Sequence, residues 1–144
     1  MKLSTRSRYG VRFMLDLALN RGDGPVLMKD LAKRQGLSEK YLGNLVPPLK
    51  AAGFVQSVRG ARGGYLLSKD PSEITLNDIV RILEGGLCLV GCVENPGVCD
   101  RSSSCIARGI WDEASRSVSQ TLRGITLESM ARRYGSQAEV DCSF

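Results

Sequence analysis

The stretch "CVENPGVCDRSSSC" sets three of the chain's five cysteines, Cys92, Cys99 and Cys105, within fourteen residues of turn-forming sequence. Thiolates are soft ligands suited to zinc or to an iron–sulfur cluster, and a cluster takes about four protein ligands. Three is an odd number for a disulfide framework, and gaps of six and five residues are wider than the two-residue gaps of zinc knuckles. Spacing alone therefore leaves a cluster, a structural zinc and a reversible thiol switch open. Cys88 is the nearest fourth donor, although "GGLCLVG" around it also suits a buried inert thiol. Cys142 and the carboxylates Glu94, Asp100 and Asp112 are the others.

A second set of chemically able residues lies upstream. Residues 1–70 hold 13 Lys/Arg against 5 Asp/Glu, a balance of +8, and residues 71–144 hold 7 against 10, a balance of −3. The basic half is the candidate for binding a polyanion. Within it, "LSEKYLGN" offers Ser38, Lys40, Tyr41 and Asn44, the short or bidentate polar groups and the cation that a helix needs in a DNA major groove. Asn44 is the best suited to a base edge, and Tyr41 suits a phosphate contact or a packing contact at the helix base. Arg59 and Arg62 flank a glycine-rich turn, "GARGG", where a narrow minor groove would attract a guanidinium and Gly60, Gly63 and Gly64 let the backbone come close. The Walker spacing and its Lys-Ser/Thr end are missing, so this turn is not read as a nucleotide phosphate loop.

These residues need elements to hold them. Ser4 or Thr5 caps a helix running to about Asn20, with Tyr9, Phe13 and Leu17 on one face, and "GDGP" is a turn. A short helix from about Lys29 to Gln35 stops at Gly36, and Ser38 caps the next after only two residues, a helix-turn-helix arrangement. Pro47 and Pro48 predict a break near Val46, leaving a short projecting helix from Ser38 to Val46 and a last turn over residues 49–52. Phe54, Val55 and Val58, then Tyr65, Leu66 and Leu67, predict a β-hairpin wing. Thr75 and Asp78 form a capping box opening a helix to about Leu83, ended by Gly85-Gly86. After the cysteines, Ala107, Trp111, Ala114, Val118, Thr121 and Ile125 recur at coiled-coil spacing and predict a dimerisation helix. A shorter helix follows from Thr126 to about Arg133, and residues 135–144 are expected to be a loose tail.

The fold class is thus mainly α with a small β-hairpin: a winged helix-turn-helix over residues 1–84, a cysteine loop over 85–105, dimerisation helices over 106–134 and the tail. With 144 residues, 42% of them apolar, the chain can bury one core. No apolar run approaches the roughly 20 residues of a membrane span, and Met1-Lys2 leads directly into an amphipathic pattern. A cytoplasmic location is expected, where thiols stay reduced. No substrate-binding motif is present, which weighs against an enzyme or electron carrier.

"MKLSTRSRYGVRFMLDLAL", "LSEKYLGNLVPPLKAAGFVQSVRGARGGYLLSKDPSEITLNDIV" and the three-cysteine loop together resemble the Rrf-two family of bacterial winged-helix transcription regulators, in particular its IscR-like and NsrR-like branch. The resemblance covers nearly all of residues 1–125. It implies a homodimer that binds a palindromic double-stranded DNA operator, and an iron–sulfur cluster, [2Fe–2S], held by Cys92, Cys99, Cys105 and a fourth, variable ligand. With no histidine in the chain, the histidine ligand of many IscR-like proteins is missing, and Arg108 takes its place three residues after Cys105. Gly43 stands where such relatives can carry an acidic residue that sorts operator classes. A CymR-like branch of the family implies the alternative, a cluster-free regulator that answers to a protein partner.

Overall fold

Helix α1, Thr5–Leu19, begins the fold, and the computed structural model describes residues 2–141. Ser4 caps the helix, its hydroxyl accepting from the Ser7 N–H at 3.2 Å, and Asn20 closes it. Phe13, Met14 and Leu17 turn into the core. Beyond the turn, Val26 pairs with Tyr65 through two backbone hydrogen bonds of 3.0 and 2.9 Å, an isolated bridge beside the hairpin that the sequence did not announce.

Helix α2, Met28–Gln35, ends at Gly36, whose φ of +64° lies in the left-handed region that favours glycine. Asp16 of α1 is 5% exposed, and its carboxylate accepts from Arg34 Nε at 3.0 Å and Nη2 at 2.6 Å and from Gln35 Nε2 at 3.0 Å. An unpaired buried carboxylate would be costly. The bidentate guanidinium satisfies it and fixes the end of α2, just before the helix-turn-helix turn, against α1.

Helix α3 spans Glu39–Gly43, and α4 spans Val46–Ala51. The expected break is present but two residues early. Asn44 and Leu45 form the turn, and α4 starts with Val46 and carries both prolines in its first turn rather than beginning after them. A first-turn N–H has no intrahelical partner in any helix, so the prolines sacrifice no bond there. Strands β1, Val55–Val58, and β2, Gly64–Leu67, pair antiparallel with Val55 opposite Leu67 and Val58 opposite Gly64. Gly63 and Gly64 are fixed by the hairpin's own packing: a side chain at the first would strike the Val58 carbonyl, and at the second the Val26 carbonyl.

A 3-10 turn, Pro71–Glu73, leaves the wing. Arg21 bonds Asp70 at 2.8 Å there and holds its carboxyl well below the usual carboxylate range. The capping box forms as expected at α5, Leu76–Glu84: Thr75 Oγ1 accepts from the Asp78 N–H at 3.2 Å, Asp78 accepts in return from the Thr75 N–H at 3.2 Å, and Gly85 ends the helix at φ +82°. Four residues of helix follow as α6, Gly91–Glu94, then a 3-10 turn at Pro96–Val98. Helix α7 spans Ile106–Arg123 and α8 spans Leu127–Asp141.

Helix α8 runs past the expected end near Arg133 and is helical over residues 135–141 of the expected tail, while residues 142–144 lie outside the described residues. One glycine, Gly135, lowers helix stability by only about 1 kcal/mol and does not stop it. Cys142 lies outside the described residues. Helix α1 packs on α5 and α8, and α7 packs on α5 and α6. Where α7 turns into α8, the Ile125 carbonyl accepts from the Leu76 N–H at 2.8 Å and the Leu127 N–H donates to the Ile74 carbonyl at 2.9 Å. That bridge seats Leu127 in the core and ties the last two helices to the start of α5. The architecture is a winged helix-turn-helix extended by α7 and α8. No helix among the described residues is long and apolar enough to cross a membrane.

Candidate nucleic-acid interface and cysteine loop

The short α3 presents its polar residues because Leu42, fully buried, holds its opposite face to the core. Ser38 is spent partly on structure: its hydroxyl caps α3 by accepting from the Tyr41 N–H at 3.1 Å. Lys40 is exposed at the first turn, and Asn44 is exposed at the C-terminal end of the helix with no side-chain hydrogen bond among the described residues. Tyr41 is half-buried, its ring set edge-on to Tyr9 at 5.8 Å, with a hydroxyl that is buried and unpartnered within the chain. In this arrangement the Tyr41 ring packs at the helix base. Arg59 and Arg62 stand exposed at the tip of the wing, which the Gly63 N–H closes by donating to the Gly60 carbonyl at 3.0 Å.

The cysteine loop is built differently. Its turns are held by local bonds: Asn95 Oδ1 accepts from the Gly97 N–H at 3.1 Å, and the Ser102 hydroxyl reaches the Pro96 and Cys99 carbonyls at 2.6 and 2.7 Å. Two contacts anchor it to α7. The Leu89 N–H donates to Ser115 Oγ at 3.0 Å, and Arg108 Nε donates to the Cys92 carbonyl at 2.8 Å. Cys88, Cys99 and Cys105 are exposed, Cys92 is half-buried, and all four are free thiols. The donor types suit a cluster. Their placement does not gather them, because among the described residues no three His, Cys, Asp or Glu side chains are grouped to hold a metal ion. Bringing three of these thiols to one metal site would require the loop to close.

Helix α7, which the heptad spacing predicts as a dimerisation helix, also packs on α5 and α6 of its own chain. It does so through a polar face centred on Ser115, which is 5% exposed and donates to the Trp111 carbonyl at 2.7 Å. The apolar stripe is left outside: Trp111 is 45% exposed, and Ala114, Val118 and Ile125 are half-buried. Ile110 at 56% and Ile106 at 84% extend that uncovered surface. Sequence reading missed both, because neither falls on the strict coiled-coil positions.

A family model described as "Rrf2: Iron-dependent Transcriptional regulator" matches residues 3–133. The protein rrf2 of Nitratidesulfovibrio vulgaris is 42% identical over 132 residues, covering 92% of this chain and 88% of its own. Among solved structures, CymR, the global cysteine regulator of B. subtilis, matches with a TM-score of 0.77 at 40% identity, over 92% of this chain and 98% of that one. T. potens IscR matches with a TM-score of 0.77 at 40% identity, over 93% of this chain and 88% of that one. The helix-turn-helix, the wing and the family model agree, and the named relatives are regulators rather than enzymes. The chain belongs to the Rrf2 family of transcriptional regulators.

Proposed function

We propose that two copies of this chain form a homodimer that binds a palindromic double-stranded operator, as a repressor, and that an iron–sulfur cluster on Cys92, Cys99 and Cys105 sets its affinity for DNA. Residues 1–84 read DNA, residues 85–105 hold the cluster and residues 106–134 carry the dimer contact through Trp111, Ala114, Val118 and Ile125. Ser38, Lys40 and Asn44 of the α3 region face the major groove, and Arg59 and Arg62 the minor groove. A [2Fe–2S] cluster would bring sensitivity to cluster supply, iron, oxidant or nitric oxide. Cys88 is the candidate fourth ligand.

The observation that carries this reading is the tie between loop and helix. Three free thiols sit on one loop whose backbone is bonded to α7 at Arg108 and Ser115. That helix has an uncovered apolar stripe on one side and a hydrogen-bonded connection to α5 at its end. Closure of the loop on a cluster would move α7, and with it the spacing of two recognition helices in a dimer. Anaerobically prepared protein is expected to be coloured, with visible absorbance that nitric oxide or oxygen bleaches and that Cys92→Ala, Cys99→Ala and Cys105→Ala each remove or severely reduce. Colourless protein containing stoichiometric zinc would defeat the cluster reading.

A second reading has its own observation. The four described thiols are not gathered, and the resemblance to CymR is as strong as that to IscR. On that reading the same fold binds DNA without a cluster, under the control of a protein partner or of a thiol or zinc switch, and the protein purified without oxygen is colourless with unchanged operator affinity.

A further inference from the structure

Tyr9, Arg12 and Asp16 stand three and four residues apart on α1 and so share one face of that helix. The face grips both helices of the helix-turn-helix. Tyr9 sets its ring edge-on to Tyr41 of α3 at 5.8 Å, and the Arg12 guanidinium lies over the Tyr9 ring, 5.4 Å from its centre. Gln35, the last residue of α2, joins Arg12 to Asp16. Its Oε1 accepts from Arg12 Nε at 2.8 Å, its Nε2 donates to Asp16 Oδ2 at 3.0 Å, and its backbone carbonyl accepts from Arg12 Nη2 at 3.2 Å. An amide has one end that accepts and one that donates, so it bridges a cation to an anion, which neither a carboxylate nor an apolar side chain of the same length can do. Each side-chain bond has a charged partner and is roughly twice as strong as one between neutral groups. The chain then passes through Gly36 and Leu37 to Ser38, the cap of α3. Gly36 has no side chain, so Gln35 is the last point at which a side chain of α2 ties that helix to α1 before α3 begins.

We propose that Gln35 is a positioning residue of the DNA reader: its amide locks the end of α2 between Arg12 and Asp16 and so fixes the angle at which α3 leaves the turn. The inference rests on the reading in which the α3 region faces the major groove. A contact to a base edge depends on distance and direction, whereas a phosphate contact by a flexible cation tolerates displacement and carries no sequence information. A small rotation of α3 therefore costs Asn44 its contact before it costs Lys40 or the wing theirs. The signature of a lost lock is a loss of sequence preference without a loss of general affinity. Arg34 still pairs with Asp16 at 3.0 and 2.6 Å when the amide is gone, so the buried carboxylate stays satisfied and α2 stays in place.

The test uses the full chain with Gln35→Met, which keeps side-chain length and helix propensity without either side-chain bond, and Gln35→Glu, which keeps the bond to Arg12 but sets a second carboxylate against Asp16. The probes are a duplex selected by the parent protein from a randomised pool and a random duplex of the same length. Binding is measured at a temperature where circular dichroism shows each variant fully folded. Both variants are expected to bind the selected duplex roughly tenfold more weakly, within the loss of one base contact, and the random duplex as tightly as the parent does. Preference retained by Gln35→Met but lost by Asn44→Ala overturns the role of Gln35 and leaves α3 as the reader. Preference retained by both overturns the α3 reading as well. Equal losses on the two duplexes in Gln35→Met would mark general damage to the domain and overturn the positioning role.

Discussion

From Phe13 to Leu83 the chain supplies every buried apolar side chain among the described residues except Leu127, whereas from Gly85 to Cys105 not one side chain is buried. The winged domain that holds the first region closes its helices with side-chain caps at Ser4, Ser38 and Thr75 and satisfies its buried carboxylate with Arg34. The second holds its turns with hydrogen bonds between near neighbours, and its longer-range anchors are the bonds to Ser115 and Arg108. A scaffold that presents α3 and the wing to DNA has to be rigid before DNA arrives. A loop that closed around an occupant, as proposed above, would gain from low intrinsic order, because only then would the occupant's presence change its shape.

The comparison breaks most visibly in the core. Leu49 is fully buried where α4 meets the rest of the winged domain, and Leu49→Ala is expected to lower the unfolding free energy by about 2–5 kcal/mol. Val98, 67% exposed in the loop, should give a Val98→Ala protein within about 0.5 kcal/mol of the parent. Urea denaturation of metal-free protein measures both. Similar losses from the two would mean that the loop carries its own core and is not the loosely held region proposed here.

The dimer contact comes next in size. Val118 sits half-buried in the centre of the stripe, and Val118→Glu should weaken self-association by about 2 kcal/mol or more, seen as monomers or aggregates in light scattering. A clean dimer from that variant would place the interface on another face. Asn44→Ala is expected to weaken operator binding by about 1–3 kcal/mol and to leave binding to random duplex nearly intact. Its side chain bonds to nothing else described, so the loss would report contact with DNA rather than damage to α3. Equal losses on both DNAs would remove Asn44 from base reading.

What could be read in advance follows the same division. The Ser4 and Thr75 caps and the glycine stop at Gly36 depend on residues within about four positions of each other, and their geometry is nearly independent of the rest of the fold. The prolines at residues 47 and 48 announced a break but not its side, because proline is compatible with a helix that starts and incompatible with one that continues. Ser115 was invisible as an inward-facing residue: a polar side chain is read as solvated until the backbone donor that it satisfies, the Leu89 N–H from 26 positions away, is placed beside it. The bond from Arg108 to the Cys92 turn was not legible, since its partner is a carbonyl and carbonyls leave no mark in a sequence. That the four described thiols stand apart was not legible either, since spacing along a loop does not fix where its side chains end up.

The smallest expected effect sharpens the contrast at a single position. Cys105 is the N-cap residue of α7, with extended backbone at φ −83° and ψ 110° and no side-chain hydrogen bond to the first turn. Serine is among the preferred residues there, and its hydroxyl satisfies one first-turn N–H that cysteine leaves to solvent, worth about 0.5–1 kcal/mol. Stability alone would therefore favour serine at residue 105, as it does at Ser4 and Ser38. Cys105→Ser in metal-free protein is expected to raise the unfolding free energy by that amount, seen as a higher urea midpoint with the denaturant slope unchanged, while the same protein prepared without oxygen loses its visible absorbance. A thiol at this cap would then be kept at the expense of the helix that it begins. No gain in the midpoint would mean that the start of α7 is already satisfied by other groups, and the absence of a side-chain cap there would carry no argument for a ligand role.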